Sequence, residues 1–234
     1  MSVTASRLGS APLTFDWSNL LRVSGTGTAR APDATEQAAA LAALRARFAS
    51  GEVAFYDAPI KNEISQLEES ETLAESIKRR RQFSDCLFLG IGGSSLGPLS
   101  LLAALPEKCR SGVRFHFMEN TDPVDWKGTL SRLNPESTLV CVVTKSGTTF
   151  ETMAQFLIAL EWLGRERRRT HVVAITDPAQ GDLKAFATQE DLATLHIVPG
   201  IGGRFSIFSP VGLFAASLAG LNVKDFIQIG RAHV

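Results

Sequence analysis

Apolar positions along the chain follow two regimes. Through residue 83 they belong to an irregular lead-in and two helical stretches, and from Cys86 onward they gather into short runs that alternate with helical segments. Residues 1–33 read as an irregular lead-in, with Phe15, Trp17 and Leu20 able to dock and a Gly, Ser, Thr and Pro stretch at 24–32 that breaks regular structure. Asp33, with Glu36 three residues on, forms a capping box; the alanine-rich run to Ala49 favours helix and Gly51 ends it. A second helix is predicted over 62–81. Its Lys78, Arg79, Arg80 and Arg81 occupy the last turn, where the helix dipole favours cations, so they read as dipole complements rather than as a binding patch. The same holds for Arg165, Arg167, Arg168 and Arg169.

The runs at 86–89, 113–117, 139–143, 171–175 and 195–198 predict strands, with helices over 96–105, 123–133, 149–163 and 182–187 between them. This is the α/β signature: a three-layer, doubly wound sheet of about five parallel strands behind a helical lead-in. The expected boundaries are 1–83 for the N-terminal extension and helices, 84–228 for the sheet domain and 229–234 for a tail. In such sheets ligands bind outside the carboxyl ends of the strands, at a reversal of strand order. The loops leaving the first, third and fifth strands are the polar, glycine-containing ones: GIGGSSLGP, TKSGTT and PGIGGRFS.

The segment TKSGTTFET at 144–152 stands between an apolar strand and a helix with Met153, Phe156, Leu157, Leu160 and Leu163 at helical spacing. Such a turn aims backbone N–H groups and the positive end of the helix dipole at one point. Thr144, Ser146, Thr148 and Thr149 add hydroxyls, Lys145 an ammonium, and Gly147 permits close approach, so a phosphate-sized anion suits the site. An N-cap with spare hydroxyls is the plainer alternative. Glu151, in the first helical turn, complements the dipole. Gly90, Gly92 and Gly93 before Ser94 and Ser95 let a ligand touch main chain, or simply allow tight packing. The loop is neither a dinucleotide fingerprint, which needs glycine at Ser95, nor a Walker A loop, which needs lysine at Pro98. Arg204 follows Gly202 and Gly203 among Ile201, Phe205, Ile207 and Phe208; a guanidinium in apolar company meets an anion, either a ligand or a structural carboxylate.

The chain of 234 residues is 44% hydrophobic and 21% charged, and its 24 basic side chains balance 24 acidic ones, so no net field favours nucleic acid or an anionic membrane. The uncharged stretch at 211–221 is shorter than the roughly 18 residues of a membrane helix. The N-terminus lacks a signal pattern. Cys86, Cys109 and Cys141 are odd in number and widely spaced, as reduced thiols of a cytoplasmic protein are. His116, His171 and His196 fall in predicted strands and read as core histidines, and no cluster has metal-ligand spacing.

Taken together, GIGGSSLGP, TKSGTTFET and PGIGGRFS, in this order and on these elements, resemble glucose-6-phosphate isomerases, specifically their first sugar-isomerase (SIS) domain, over residues 84–221. The resemblance implies a sugar phosphate held against Gly93, Ser94, Thr144, Lys145, Ser146, Thr149 and Gly203, with Arg204 beside the reacting C1 and C2 atoms. Thr144 stands where many members have serine and keeps the hydroxyl. The implied chemistry is ring opening and proton transfer between C1 and C2 through an enediol-type intermediate, whose charge Arg204 stabilises. It implies no metal or organic cofactor, a sugar-phosphate substrate in glycolysis and gluconeogenesis, and a homodimer at full length. The family's base glutamate, ring-opening histidine and late lysine belong to motifs that these residues do not contain, so the chain as given is expected to bind without turnover.

Two alternatives compete. A non-catalytic SIS phosphosugar sensor would carry an output domain, and the lead-in has no basic helix-turn-helix pattern. An isomerase of amino sugar phosphates is disfavoured by the GGRFS loop. Ile229, Gly230, Arg231, Ala232, His233 and Val234 correspond to the codons ATC GGA AGA GCA CAC GTC, which resemble a widely used sequencing adapter. Residues 229–234 are therefore expected to be a non-native tail, and His233 carries no functional weight.

Overall fold

The computed structural model describes residues 3–8, 11–15, 33–52, 64–105 and 111–232. They fall into two compact units, Met1–Ser50 and Gly51–Val234. In the first, β1 (Val3–Leu8) pairs antiparallel with β2 (Ala11–Phe15), Val3 opposite Phe15 and Leu8 opposite Ala11. This corrects the expectation of an irregular lead-in. The sequence between the strands is Gly9-Ser10, a pair of the kind that joins antiparallel strands, and the Gly and Pro content downstream obscures that signal. Trp17, Leu20 and the 24–32 stretch lie outside the described residues. Helix α1 (Ala34–Ala49) starts as expected: the Asp33 carboxylate accepts from Thr35 N and Glu36 N at 2.9 Å, and the Glu36 carboxylate accepts from Asp33 N at 3.0 Å.

In the second unit α2 (Ile64–Arg80) precedes a parallel sheet of β3 (Asp85–Leu89), β4 (Arg114–Met118), β5 (Thr138–Thr144), β6 (Val172–Thr176) and β7 (Ala193–His196). The order is β4-β3-β5-β6-β7. Strands β3, β5 and β6 are buried along their whole length, which is why they read as unbroken apolar runs. The chain leaves β3 to one side for β4 and returns to the other for β5, so the order reverses between β3 and β5. The loops after those two strands flank the switch point.

Side-chain alternation splits the core between two faces. Leu87, Leu89, Val140, Val142, Val172 and Ala174 meet α4 (Pro123–Leu130), α5 (Phe150–Leu163) and α7 (Asp182–Gln189) through Trp126, Phe156, Leu160 and Leu183. Cys86, Phe88, Leu139, Cys141, Val143 and Ile175 meet α2 and α8 (Pro210–Ala219) through Ala74, Ile77, Val211, Phe214 and Leu218. The third layer therefore draws on a helix that hydrophobic pattern alone attaches to the lead-in. Helix α8 occupies the stretch weighed above against a membrane span. Every one of its residues is buried, as in a helix that is apolar all round and covers a sheet. Its start is capped by Ser209, whose Oγ accepts from Val211 N at 3.3 Å, and its end turns at Gly220 with φ 90°.

Helix α3 (Leu96–Ala104) and α9 (Val223–Ala232) complete the α8 side through Leu101, Val223 and Ile227. Helix α9 runs into the 229–234 stretch, whose last two residues lie outside the described ones. No helix among the described residues is long and apolar enough to cross a membrane.

Cys86 and Cys141 are free, fully buried thiols whose pKa burial pushes up, so neither is nucleophilic; Cys109 lies outside the described residues. The three described histidines are hydrogen-bonded. His196 accepts from Lys184 Nζ at 3.1 Å, and burial followed by that ammonium lowers its pKa. His171 is not in a strand but ends the short helix α6 (Arg168–His171), edge-on to Phe83.

His116 Nε2 donates to Asp85, the first residue of β3, at 2.8 Å. Asp85, 4% exposed, also accepts from Arg114 Nε at 2.9 Å and Nη2 at 2.8 Å and from Ser84 Oγ at 2.7 Å. The Arg114 hydrogen bonds hold its carboxyl well below the usual range, burial opposing them. A depressed carboxylate stabilises the fold above its unfolded pKa of about 3.9, and that stability is lost as pH falls through the folded value. Asp85→Asn should lower the thermal midpoint at pH 7 by several degrees, with the gap from wild type closing as pH falls below about 4 in thermal melts. A gap independent of pH would deny the ion cluster this role.

Candidate functional site

Strand β5 ends at Thr144, and Gly147 N donates back to Thr144 O at 3.3 Å to close a tight turn. The turn needs a left-handed residue, and Gly147 supplies it with φ 68°. Three hydroxyls converge there. Thr144 Oγ1 donates to Thr149 Oγ1 at 3.1 Å, Ser146 Oγ lies 3.2 Å from Thr149 Oγ1 and 3.4 Å from Thr144 Oγ1, and Thr148 N donates to Ser146 Oγ at 3.2 Å. Thr144, 2% exposed, lies beneath the turn and holds the outer hydroxyls, while Lys145 and Ser146 are exposed.

Helix α5 starts at Phe150 with Thr149 as N-cap, yet the Thr149 side chain makes no capping bond. The plain N-cap reading therefore does not describe this turn. Its hydroxyl belongs to the cluster, and no side chain caps the start of α5, where a helix leaves its first amides without intrahelical partners, an arrangement that can hold a small anion. Glu151 is exposed in the first turn of α5, as expected.

After β3 the chain makes a 3-10 turn, Gly92–Ser94. Ser95, completely buried, donates through Oγ to Glu119 Oε1 at 2.6 Å, which leaves Ser94, half-buried, as the serine that can meet a ligand. Gly93 is required by a close approach. A Cβ there would stand 2.2 Å from Gly203 C, 2.4 Å from Gly203 O and 2.7 Å from Arg204 N. The third loop, a 3-10 segment at Gly203–Phe208, thus lies directly against the first. Ser206 Oγ bridges the two, with Gly203 O at 2.7 Å and Gly93 O at 3.1 Å. Lys145 Nζ donates to Ile201 O at 2.7 Å and ties the hydroxyl turn to the same loop.

Gly93 therefore meets the main chain of Gly203 and Arg204 at the switch point, and Lys145 reaches the same loop through its side chain, beside the hydroxyl cluster of Thr144, Ser146 and Thr149. Arg204 corrects one expectation. It is not enclosed by apolar neighbours but exposed, its guanidinium 5.8 Å from the Phe205 ring centroid, and among the described residues it has no carboxylate partner. Ile201 alone of the flanking apolar residues is fully buried; the 3-10 backbone turns position 204 outward.

Two contributors carry no recognisable motif. Glu119, just beyond β4, anchors the first loop through Ser95. The end of β6 and the loop after it touch the hydroxyl turn through Thr176 and Gly181. The sequence there, TDPAQGD, is polar and contains glycine like the other three loops, which is the one signal that could have singled it out. Among the described residues no group of His, Cys, Asp and Glu could hold a metal ion.

The fold and its loops define a doubly wound α/β protein with glycine- and hydroxyl-bearing loops at the switch point of its sheet. The chain belongs to the phosphoglucose isomerase family, whose model matches residues 49–232. It is 42% identical over 227 residues to a glucose-6-phosphate isomerase of Rubrobacter xylanophilus, covering 93% of this chain and 51% of that protein. It is 44% identical over 172 residues to one of Thermus thermophilus, covering 70% of this chain and 40% of that protein. The crystal structure of a hypothetical protein, also from Thermus thermophilus, superposes with a TM-score of 0.75 at 36% identity, over 85% of this chain and 48% of that one. A glucose-6-phosphate isomerase of Chlamydia trachomatis gives 0.59 at 34% identity, over 69% and 31%. The chain spans about half the length of the curated relatives it matches, or less.

Proposed function

We propose that these residues are the phosphate-binding part of an aldose–ketose isomerase that interconverts glucose 6-phosphate and fructose 6-phosphate, in glycolysis and gluconeogenesis. The observation that carries the reading is the hydroxyl turn of Thr144, Ser146 and Thr149 at the uncapped start of α5, tied by Lys145 to the loop of Arg204. The phosphate would sit on the hydroxyls and α5 amides, with Ser94, Gly93 and Gly203 lining the approach. Arg204, an exposed cation without a carboxylate partner among the described residues, would stabilise the enediolate charge at C1 and C2. The relatives' names favour an isomerase over a sensor module.

On this reading the 234 residues bind the sugar phosphate without turning it over, because the groups that open the ring and carry the proton come from elsewhere. General acid and base groups each contribute roughly 10² to 10⁴-fold and must reach the proton they move. Glu151 sits in the first turn of α5, at the phosphate end, away from C1 and C2 on this placement. A coupled assay should show no turnover by the purified chain above a buffer blank. A chain of the relatives' full length should be active and should lose activity on Arg204→Ala. Turnover by the short chain that disappears with Glu151→Gln would place the base wrongly here.

A further inference from the structure

The hydroxyl turn has a polarity that its own sequence does not explain. Thr144 O accepts from Thr176 Oγ1 at 2.8 Å, a bond buried at both ends. Gly147 O accepts from Leu183 N at 3.1 Å, at the start of α7. Ser146 O lies so close to Gly181 that a Cβ on that residue would stand 2.5 Å from it, and a Cβ on Gly147 would stand 2.9 Å from Gly181 Cα. The carbonyl oxygens of Thr144, Ser146 and Gly147 are thus all turned toward the loop after β6. Carbonyls facing an anion would oppose it; with these three turned toward that loop, the exposed Ser146 and half-buried Thr149 hydroxyls are left to meet it.

We propose that Thr176 and Gly181 are positioning residues of the anion grip: the β6–α7 loop binds the negative side of the 144–149 turn and so fixes which side its donors face. The proposal rests on the phosphate-binding reading of that turn. Gly181 is suited to this and nothing bulkier is. Its φ of 100° and ψ of 155° fall in a region open essentially to glycine alone, and its missing side chain is the space that Ser146 O fills. Thr176 acts through its hydroxyl, the last group of β6, in register with Thr144 on β5. Neither residue touches the ligand on this account. Their effect should therefore fall on the phosphate-dependent part of binding and leave the sugar contacts alone.

The test uses the purified chain, titrated calorimetrically with fructose 6-phosphate and with fructose, alongside amide hydrogen exchange of the 144–149 segment. Gly181→Ala should weaken fructose 6-phosphate binding about tenfold, the equivalent of one strained left-handed residue. Binding of fructose should stay unchanged, and exchange at 144–149 should quicken relative to the β3 loop. Thr176→Val should do the same to a smaller degree, and Thr176→Ser, which keeps the hydroxyl, should restore wild-type behaviour; this pair decides the matter if Gly181→Ala fails to fold. Unchanged phosphate preference and unchanged exchange in folded variants would overturn the proposal, as would equal losses for both ligands or failure of the serine rescue. A wild-type chain that does not prefer fructose 6-phosphate would instead overturn the functional reading, and the exchange data would still decide whether this loop sets the turn.

Discussion

Gly93→Ala should weaken fructose 6-phosphate binding about a hundredfold, because over-packing against main chain costs the upper part of the usual range of about 1–3 kcal/mol. The atoms a Cβ would meet are main chain, with Gly203 C at 2.2 Å, Gly203 O at 2.4 Å and Arg204 N at 2.7 Å. No rotamer change relieves that contact; the first and third loops must part. Parting them breaks the Ser206 bridge to Gly93 O and shifts Arg204 relative to the hydroxyl turn. Gly92 is the control. It has φ 57° but nothing within 4 Å of a built Cβ, so alanine there costs backbone strain alone, about 1 kcal/mol. Calorimetric titration of both variants, with thermal melts to confirm folding, separates the cases. Equal losses from the two substitutions would mean that the loops are not interlocked at Gly93.

The elements that the sequence displays are those whose environment repeats. Strands β3, β5 and β6 are buried on both faces, so Cys86 to Leu89, Leu139 to Val143 and Val172 to Ile175 read as runs whatever the tertiary detail. The three site loops are visible because small and hydroxyl residues cluster at strand ends. What stays hidden depends on contacts made far along the chain. Helix α8 shows no periodicity because all its sides are covered. The apolar neighbours of Arg204 in sequence, Ile201 and Ile207, turn inward while the 3-10 backbone carries Arg204 outward, so proximity in sequence misjudges its surroundings. The Lys145 bond to Ile201 O spans 56 positions, and the loop after β6 works through carbonyls of another segment. No motif can encode either.

Lys145→Ala combined with Thr149→Val should remove most of the preference for a phosphorylated sugar. A hydrogen bond to a charged group contributes about 1.5–3 kcal/mol, so loss of the ammonium alone accounts for about ten- to a hundredfold. Thr149→Val removes the hydroxyl on which Thr144 and Ser146 converge, leaving Thr144 Oγ1, 2% exposed, with only a 3.4 Å contact to Ser146. The two losses should couple, since both residues belong to one turn. The single Lys145→Ala variant should also loosen the third loop, because Ile201 O loses its donor. Retention of the phosphate preference by the double variant would move the anion away from this turn.

The central claim is that the switch point between β3 and β5 grips the phosphate of a sugar phosphate. Its most direct test is calorimetric titration of the wild-type chain with fructose 6-phosphate and with fructose, in one buffer free of competing phosphate. The account predicts measurable binding of fructose 6-phosphate and at least about tenfold weaker binding of fructose, the difference that one charge-assisted hydrogen bond supplies. Equal affinity for the two sugars would contradict it.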